Sequence, residues 1–176
     1  QQLRIPNIEV IVGSFERTNL TLRVERKTDA VAQVVQLLAK DRNASSIVYA
    51  ATRRSVESLA QALDAKGFRA LPYHAGLDPA TREANQRAFA NDDVRCMVAT
   101  VAFGMGIDKS NIRSVIHANL PKSIEGYYQE VGRAGRDGLP AECVMFYSDG
   151  DIATQQHLIH TAEREEERVR GLAQLE

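Results

Sequence analysis

Short runs of β-branched and apolar residues alternate along this chain with stretches of helical periodicity, and that alternation restricts the fold more than any other feature. Glu9 to Phe15 and Leu20 to Glu25 read as extended. Thr28 or Asp29 opens a helix with an apolar stripe of Val31, Val34, Val35 and Leu38. Ser46 to Ala50 is a short apolar strand, and Thr52 is placed to cap the helix that follows, whose inner face is Val56, Leu59, Ala60 and Leu63. Gly67 ends that helix in the left-handed conformation that favours glycine. Arg69 to His74 returns as a strand, and Asp78-Pro79 starts the next helix. Arg95 to Ala99, Ser114 to Ala118 and Glu142 to Tyr147 are further strands, with a helix from about Ser123 between the last two. From Asp149 the chain reads as helix, ending in the charged stretch Glu163 to Arg170. Strands alternating with helices require crossover connections, so the expected fold is α/β with a mostly parallel sheet flanked by helices. Ligands on such sheets bind beyond the carboxyl ends of the strands. The segments after Tyr49, Tyr73, Ala99 and Ala118 are therefore where function is expected.

The 176 residues are 44% hydrophobic and 26% charged, which suits one globular domain with a sizeable core. A net charge of −1 rules out a global nucleic-acid signature, so a polyanion site has to be a local basic patch. Cys96 and Cys143 lie far apart, each inside an apolar run, and read as buried thiols in a reducing compartment. With no C-x-x-C pair, no structural zinc is expected. There is no signal peptide and no apolar stretch long enough to span a bilayer, so no membrane partner is expected. A first residue of Gln points to an excised piece or a processed product.

The chemistry concentrates in Tyr127-Tyr128-Gln129-Glu130-Val131-Gly132-Arg133-Ala134-Gly135-Arg136-Asp137-Gly138. Arg133 and Arg136 each follow a glycine and stand three residues apart. A guanidinium carries a permanent charge and a planar fork of donors. Two at this spacing share one helix or turn face and can converge on one phosphate, as stabilising a transferring phosphoryl group requires; a solvated Gly-Arg turn is the plainer alternative. After the first core strand, Thr52, Arg53 and Arg54 sit at a helix start, where free N–H groups also favour anions, although a capped helix with surface arginines fits equally well. After the second, His74 reads as a strand-end histidine contacting backbone or nucleic acid. After the third, Thr100 offers a hydroxyl, Gly104 and Gly106 let the backbone approach a ligand, and Asp108 is suited to accept from a sugar hydroxyl. Gly104 to Ser110 is not a phosphate-binding P-loop, because Asp108 stands where glycine must precede the lysine. Gly132, Gly135 and Gly138 lack the dinucleotide-binding spacing.

Taken in order, these segments resemble the second RecA-like lobe of superfamily 2 helicases, most closely the RecQ family of DNA helicases. The resemblance runs from about Ser14 to Asp149, with Ser46 to Leu63 similar to motif IV, Tyr73 to Leu77 to the HAGL segment, Ala99 to Lys109 to motif V, and Tyr128 to Gly138 to motif VI. Gln129 opens a Gln-x-x-Gly-Arg-x-x-Arg pattern, where Gln rather than His resembles RecQ more than the DEAD-box RNA helicases. The resemblance implies that Arg136 is an arginine finger, that Arg133 is a second γ-phosphate contact, and that Gln129 couples ATP to DNA. It places Asp108 at the ATP ribose and Thr100 and Arg53 beside the DNA backbone; from the residues themselves, Gly106 is expected at the ATP and Thr52, Arg54 and His74 beside single-stranded DNA or a DNA junction. Ala51 departs from the family's frequent Asn, and Asp108 is sometimes Asn there. The phosphate loop, the Asp-Glu pair that holds Mg2+, the zinc subdomain and the winged helix are absent from this sequence. The resemblance therefore implies half of a motor, whose partner is a first RecA-like lobe and which is inactive and monomeric alone. The expected organisation is a linking segment with the first strands over 1–28, the lobe over 29–150 and a charged helical tail over 151–176. An intracellular setting follows, at the nucleoid in a bacterium or in the nucleus of a eukaryote. An RNA-remodelling lobe and a non-catalytic module that binds nucleic acid or a partner are the alternatives.

Overall fold

In the computed structural model, residues 16–104 and 107–153 are described. The extended reading of Glu9 to Phe15, the charged stretch Glu163 to Arg170 and the ligand role of Gly106 fall outside them. Six strands form one sheet: β1 (Leu20–Arg26), β2 (Ser45–Tyr49), β3 (Ala70–Tyr73), β4 (Cys96–Ala99), β5 (Ile112–His117) and β6 (Ala141–Tyr147). Four helices connect or flank them: α1 (Ala30–Ala39), α2 (Arg53–Ala65), α3 (Pro79–Ala90) and α4 (Ile124–Val131). Every strand pair is parallel and the order is β1-β6-β5-β2-β4-β3. β1 pairs with β6 along its whole length, so Leu20–Arg26 forms an edge strand of the sheet.

The helix starts follow from side chains that accept the orphan N–H groups of a first turn. Asp29 accepts from the Ala32 N–H, Asp78 from Thr81 and Ser123 from Gly126, and Thr52 forms a reciprocal capping box with Ser55. Gly67, past the end of α2, adopts φ 78°, as its position in the sequence requires. Neighbouring residues of one strand serve opposite faces of the sheet. Val48 and Ala50 pack with Val34, Leu38, Val56, Leu59 and Leu63 of α1 and α2. Ile47 and Tyr49 pack with Phe89 of α3, Tyr127 and Val131 of α4, and Phe103 and Ile107 of the β4–β5 loop. Cys96 and Cys143 are free and buried, and burial pushes both thiols up to about 12, so they stay protonated and unreactive.

The site follows from the order of the strands. The chain leaves β2 toward β3 and β4 on one side, then crosses back to β5 and β6 on the other. The direction of winding thus reverses at β2, and a crevice opens beyond its carboxyl end.

One polar cluster supports the loop after β4 from below. Asp92, at φ 65°, accepts from Ser45 Oγ at 3.0 Å, Arg95 at 2.5 Å and Lys109 Nζ at 2.5 Å through Oδ1, and from Asn111 at 3.4 Å through Oδ2. The Lys109 hydrogen bond foremost holds the Asp92 carboxyl below its ordinary range. Lys109 is buried, so losing the carboxylate leaves its ammonium without its ion-pair partner. Asp92→Asn keeps a residue tolerant of positive φ and should still destabilise the fold by about 1–3 kcal/mol, the scale for leaving a buried polar group without its partner. Because the folded-state value is depressed, this stabilisation is complete above the ordinary carboxylate range and disappears as pH falls through the folded value. Thermal melts of wild type and Asp92→Asn should therefore differ at pH 7, and the gap should close only as pH falls below the ordinary carboxylate range and through the depressed folded value; a gap independent of pH would show that the ion pair is not its source.

Candidate nucleotide and nucleic-acid site

Two neighbouring features occupy the carboxyl end of the sheet. The first is a cleft of about 470 Å³ whose walls include Ala51, Thr52 and Arg53 after β2, Thr100 and Val101 after β4, and Asn119 to Lys122 after β5. With Ala75 after β3, which also lines it, all four strand ends that the alternation of elements singles out meet here. Thr52 is exposed, but its Oγ1 accepts from the Ser55 N–H at 3.1 Å, so its first task is to cap α2. Arg53 lies across Gly76, where an added Cβ would come within 2.9 Å of Arg53 Cδ. The glycine after the histidine segment thereby gives this arginine its seat beside the cleft. Arg54 is exposed on the first turn of α2 and is not among the cleft residues. The Thr100 N–H donates to the Tyr73 carbonyl at 3.1 Å, which ties the ends of β3 and β4 together.

Of the two contacts expected of His74, backbone or nucleic acid, it makes the backbone one. It is 2% exposed and both ring nitrogens have protein partners. Nδ1 accepts from the Gly76 N–H at 3.2 Å and Nε2 lies 3.1 Å from Glu57 Oε1. Its place is to hold the Ala75-Gly76 turn against α2, and with it the seat of Arg53. The spacing to Glu57, seventeen residues earlier on another element, hides this from the sequence.

The second feature is the turn after α4. Arg133 and Arg136 both reach the loop after β4, at carbonyls three residues apart. Arg133 Nη1 donates to the Gly104 carbonyl at 2.6 Å. Arg136 Nη1 donates to the Ile107 carbonyl at 3.2 Å and to Asp108 Oδ1 at 3.3 Å. The two differ in environment: Arg133 is half-buried and its Nε is buried with no partner among the described residues, whereas the Arg136 side chain is 38% exposed. Asp108 projects almost wholly into solvent. Gly104 has φ 142° and presents its Cα to the Arg133 guanidinium, so any Cβ there would overlap it. Gln129 is exposed on α4, one turn before Arg133.

The turn is held from outside by residues that carry no obvious signal. Arg17 Nη2 donates to the Ala134 and Gly135 carbonyls at 2.9 and 2.7 Å, and Asn19 Nδ2 to those of Gly135 and Leu139, both at 2.9 Å. Gly135 needs its φ of 54° here, since a Cβ would come within 2.5 Å of Asn19 Nδ2 and 2.8 Å of the Leu139 carbonyl. Arg113 grips Asp137 through both carboxylate oxygens at 2.6 and 2.7 Å, and this hydrogen bond foremost holds the Asp137 carboxyl below its ordinary range. Arg17 and Asn19 thus hold the backbone of the turn, and Arg113 its Asp137 side chain.

Residues 27–138 match the family described as the helicase conserved C-terminal domain. The chain belongs to that family. It is similar to the ATP-dependent DNA helicase RecQ of Haemophilus influenzae, 45% identical over 159 residues, or 90% of this chain and 26% of that protein. It is likewise similar to the ATP-dependent DNA helicase RecQ of Bacillus subtilis, 43% identical over 99% of this chain and 30% of that protein. The chain thus spans less than a third of the length of these relatives. Among solved structures it resembles a DEAD-box protein from the hyperthermophile Methanococcus jannaschii, with a TM-score of 0.64 and 26% identity over 81% of this chain and 39% of that one. It also resembles the E. coli DEAD-box protein SrmB, solved bound to the regulator of ribonuclease activity A, with a TM-score of 0.61 and 25% identity over 72% of this chain and 75% of that one. The sheet is thus that of a RecA-like helicase domain, and the correspondence with RecQ runs through both features of the site. Among the described residues, no three His, Cys, Asp or Glu side chains gather as a metal site, and no helix is long and apolar enough to cross a membrane.

Proposed function

We propose that this chain is the second motor lobe of an ATP-dependent DNA helicase, working inside the cell. Arg136 and Arg133 act on the γ-phosphate of an ATP held chiefly by another lobe, and the cleft beyond β2, β4 and β5 carries part of a single-stranded DNA track. The observation that supports this most is the convergence of Arg133 and Arg136 on one loop, Gly104 to Asp108, through carbonyls at 2.6 and 3.2 Å. Arg136, half in solvent, exchanges its weak contacts with Ile107 and Asp108 for the phosphate when the lobes close. Asp108, freed of the arginine, is then available to a ribose hydroxyl, and Gln129 on α4 senses the nucleotide. Mg2+ travels with the ATP and takes its one or two carboxylates from the other lobe. Alone, the chain is a monomer that folds and turns over no ATP.

In the cleft, Arg53 and Lys122 supply charge while Thr100 and Asn119 supply hydrogen bonds. Such groups position a backbone without reading bases. Binding to a single-stranded oligonucleotide should therefore be weak, indifferent to base identity and salt-sensitive, with Arg53→Ala reducing the slope of log K against log salt by about 0.7. Fluorescence anisotropy at several ionic strengths measures this, and a salt-independent or base-dependent affinity would contradict the proposed track.

A second reading, an RNA-remodelling lobe, draws support from the DEAD-box structures that share the fold. Gln129 argues for DNA, and a requirement for the 2′-hydroxyl in the same titration would reverse the choice.

A further inference from the structure

His117, at the carboxyl end of β5, and Glu130, in the last turn of α4, form a buried pair that neither the strand ends nor the arginine spacing anticipates. They are 2% and 6% exposed, and His117 Nε2 lies 2.7 Å from Glu130 Oε2. Both residues line the cleft. His117 is sandwiched between rings, with its centroid 5.3 Å from Tyr49 and 5.1 Å from Tyr127. Its Nδ1 is buried and has no hydrogen-bond partner among the described residues. A buried polar pair that leaves one nitrogen unsatisfied is a poor device for stability alone, because an apolar pair of the same shape avoids that penalty.

The surroundings of the pair indicate another use. The Glu130 carbonyl accepts from the Arg133 N–H at 3.2 Å, so the residue that holds His117 also begins the turn carrying both arginines. On the other side of the ring, Tyr49 donates its hydroxyl proton to the Phe103 carbonyl at 3.2 Å, next to the Gly104 carbonyl that Arg133 grips. Burial raises the Tyr49 pKa, which keeps that donor protonated. Two short contact routes therefore leave His117 at the floor of the cleft and meet at Arg133.

We propose that His117 and Glu130 are positioning residues that transmit occupancy of the cleft to the arginine turn, so that nucleic acid accelerates phosphoryl transfer. The inference rests on the motor-lobe reading above. A strand in the cleft presses on the His117 ring through the residues it contacts; the carboxylate moves with the ring, and the turn of Arg133 moves with the carboxylate. The pair touches neither phosphate nor reacting atoms.

The test uses the two-lobe protein. ATP turnover is measured without DNA and at saturating single-stranded DNA, and DNA affinity is measured by anisotropy. His117→Ala, Glu130→Ala and the double variant should each reduce DNA stimulation by about tenfold, within the usual range of coupling between sites, with little change in DNA affinity. The double should be no worse than either single, because one link is broken only once. Glu130→Gln, which retains an acceptor oxygen, should keep most of the stimulation. Should His117→Ala fail to fold, His117→Gln, with a melt matching wild type, carries the comparison. Full stimulation in the single variants, losses that multiply in the double, or losses that merely follow weaker DNA binding would each overturn the proposal. If the wild-type two-lobe protein binds DNA but shows no stimulated turnover, the motor-lobe reading fails and takes this inference with it.

Discussion

Arg136→Ala in the two-lobe protein should lower DNA-stimulated ATP turnover by about 10³-fold or more, the range typical of a lost arginine finger. The structure explains why the loss should be confined to catalysis. Arg136 is half-exposed, its contacts with Ile107, Asp108 and Gly132 are long, at 3.2 to 3.4 Å, and it adds nothing to either apolar core. The melting temperature and DNA affinity should therefore barely change. Arg136→Lys should restore only part of the rate, because a point charge lacks the bidentate fork. Arg133→Ala should also impair turnover, with some weakening of ATP binding if that side chain meets the ground-state phosphate. A surface turn without function predicts near-wild-type rates for all three variants. Steady-state turnover alongside DNA affinity separates these cases.

Gly104→Ala should be almost as damaging, for a different reason. Its φ of 142° is strained for any side chain, and the new Cβ would overlap the Arg133 guanidinium. The variant has to give up either the backbone conformation or the arginine's seat, at a cost of about 1–3 kcal/mol. If Arg133 is displaced, turnover should fall by about 10²-fold, the scale of a catalytic group misplaced by an ångström. The melting temperature should fall too, which Arg136→Ala does not predict. Turnover indistinguishable from wild type in a folded Gly104→Ala protein would show that the seat of Arg133 has no bearing on the chemistry.

Much of this architecture is legible in the sequence because local chemistry and global fold agree. Asp29, Thr52, Asp78 and Ser123 stand immediately before their helices, and each makes the hydrogen bond that its type predicts. The strand ends are legible for the same reason, since strand–helix alternation admits few topologies and each puts the loops on one edge. Less visible are the contacts that carry no local pattern. His74 and Glu57 are seventeen residues apart, and Arg17 and Asn19 clamp a turn more than a hundred residues away. His117 and Glu130 left a trace: a polar residue closing an apolar strand, and a carboxylate on the apolar side of a helix. Both were hidden by the stronger signal of the arginines beside them. Asp92 is a similar case, because only the folded chain brings Ser45, Lys109 and Asn111 to one carboxylate.

As proposed, this chain supplies the charge-stabilising half of an ATP site that another lobe completes. The most direct test is to join it to the P-loop-bearing lobe of a RecQ relative and measure phosphate release with and without single-stranded DNA. The joined protein should release phosphate in a DNA-stimulated manner, this chain alone should release none, and Arg136→Ala in the joined protein should abolish the stimulated rate. Robust ATP turnover by the chain alone, or a joined protein that folds, binds ATP and DNA and still releases no phosphate, would contradict this proposal.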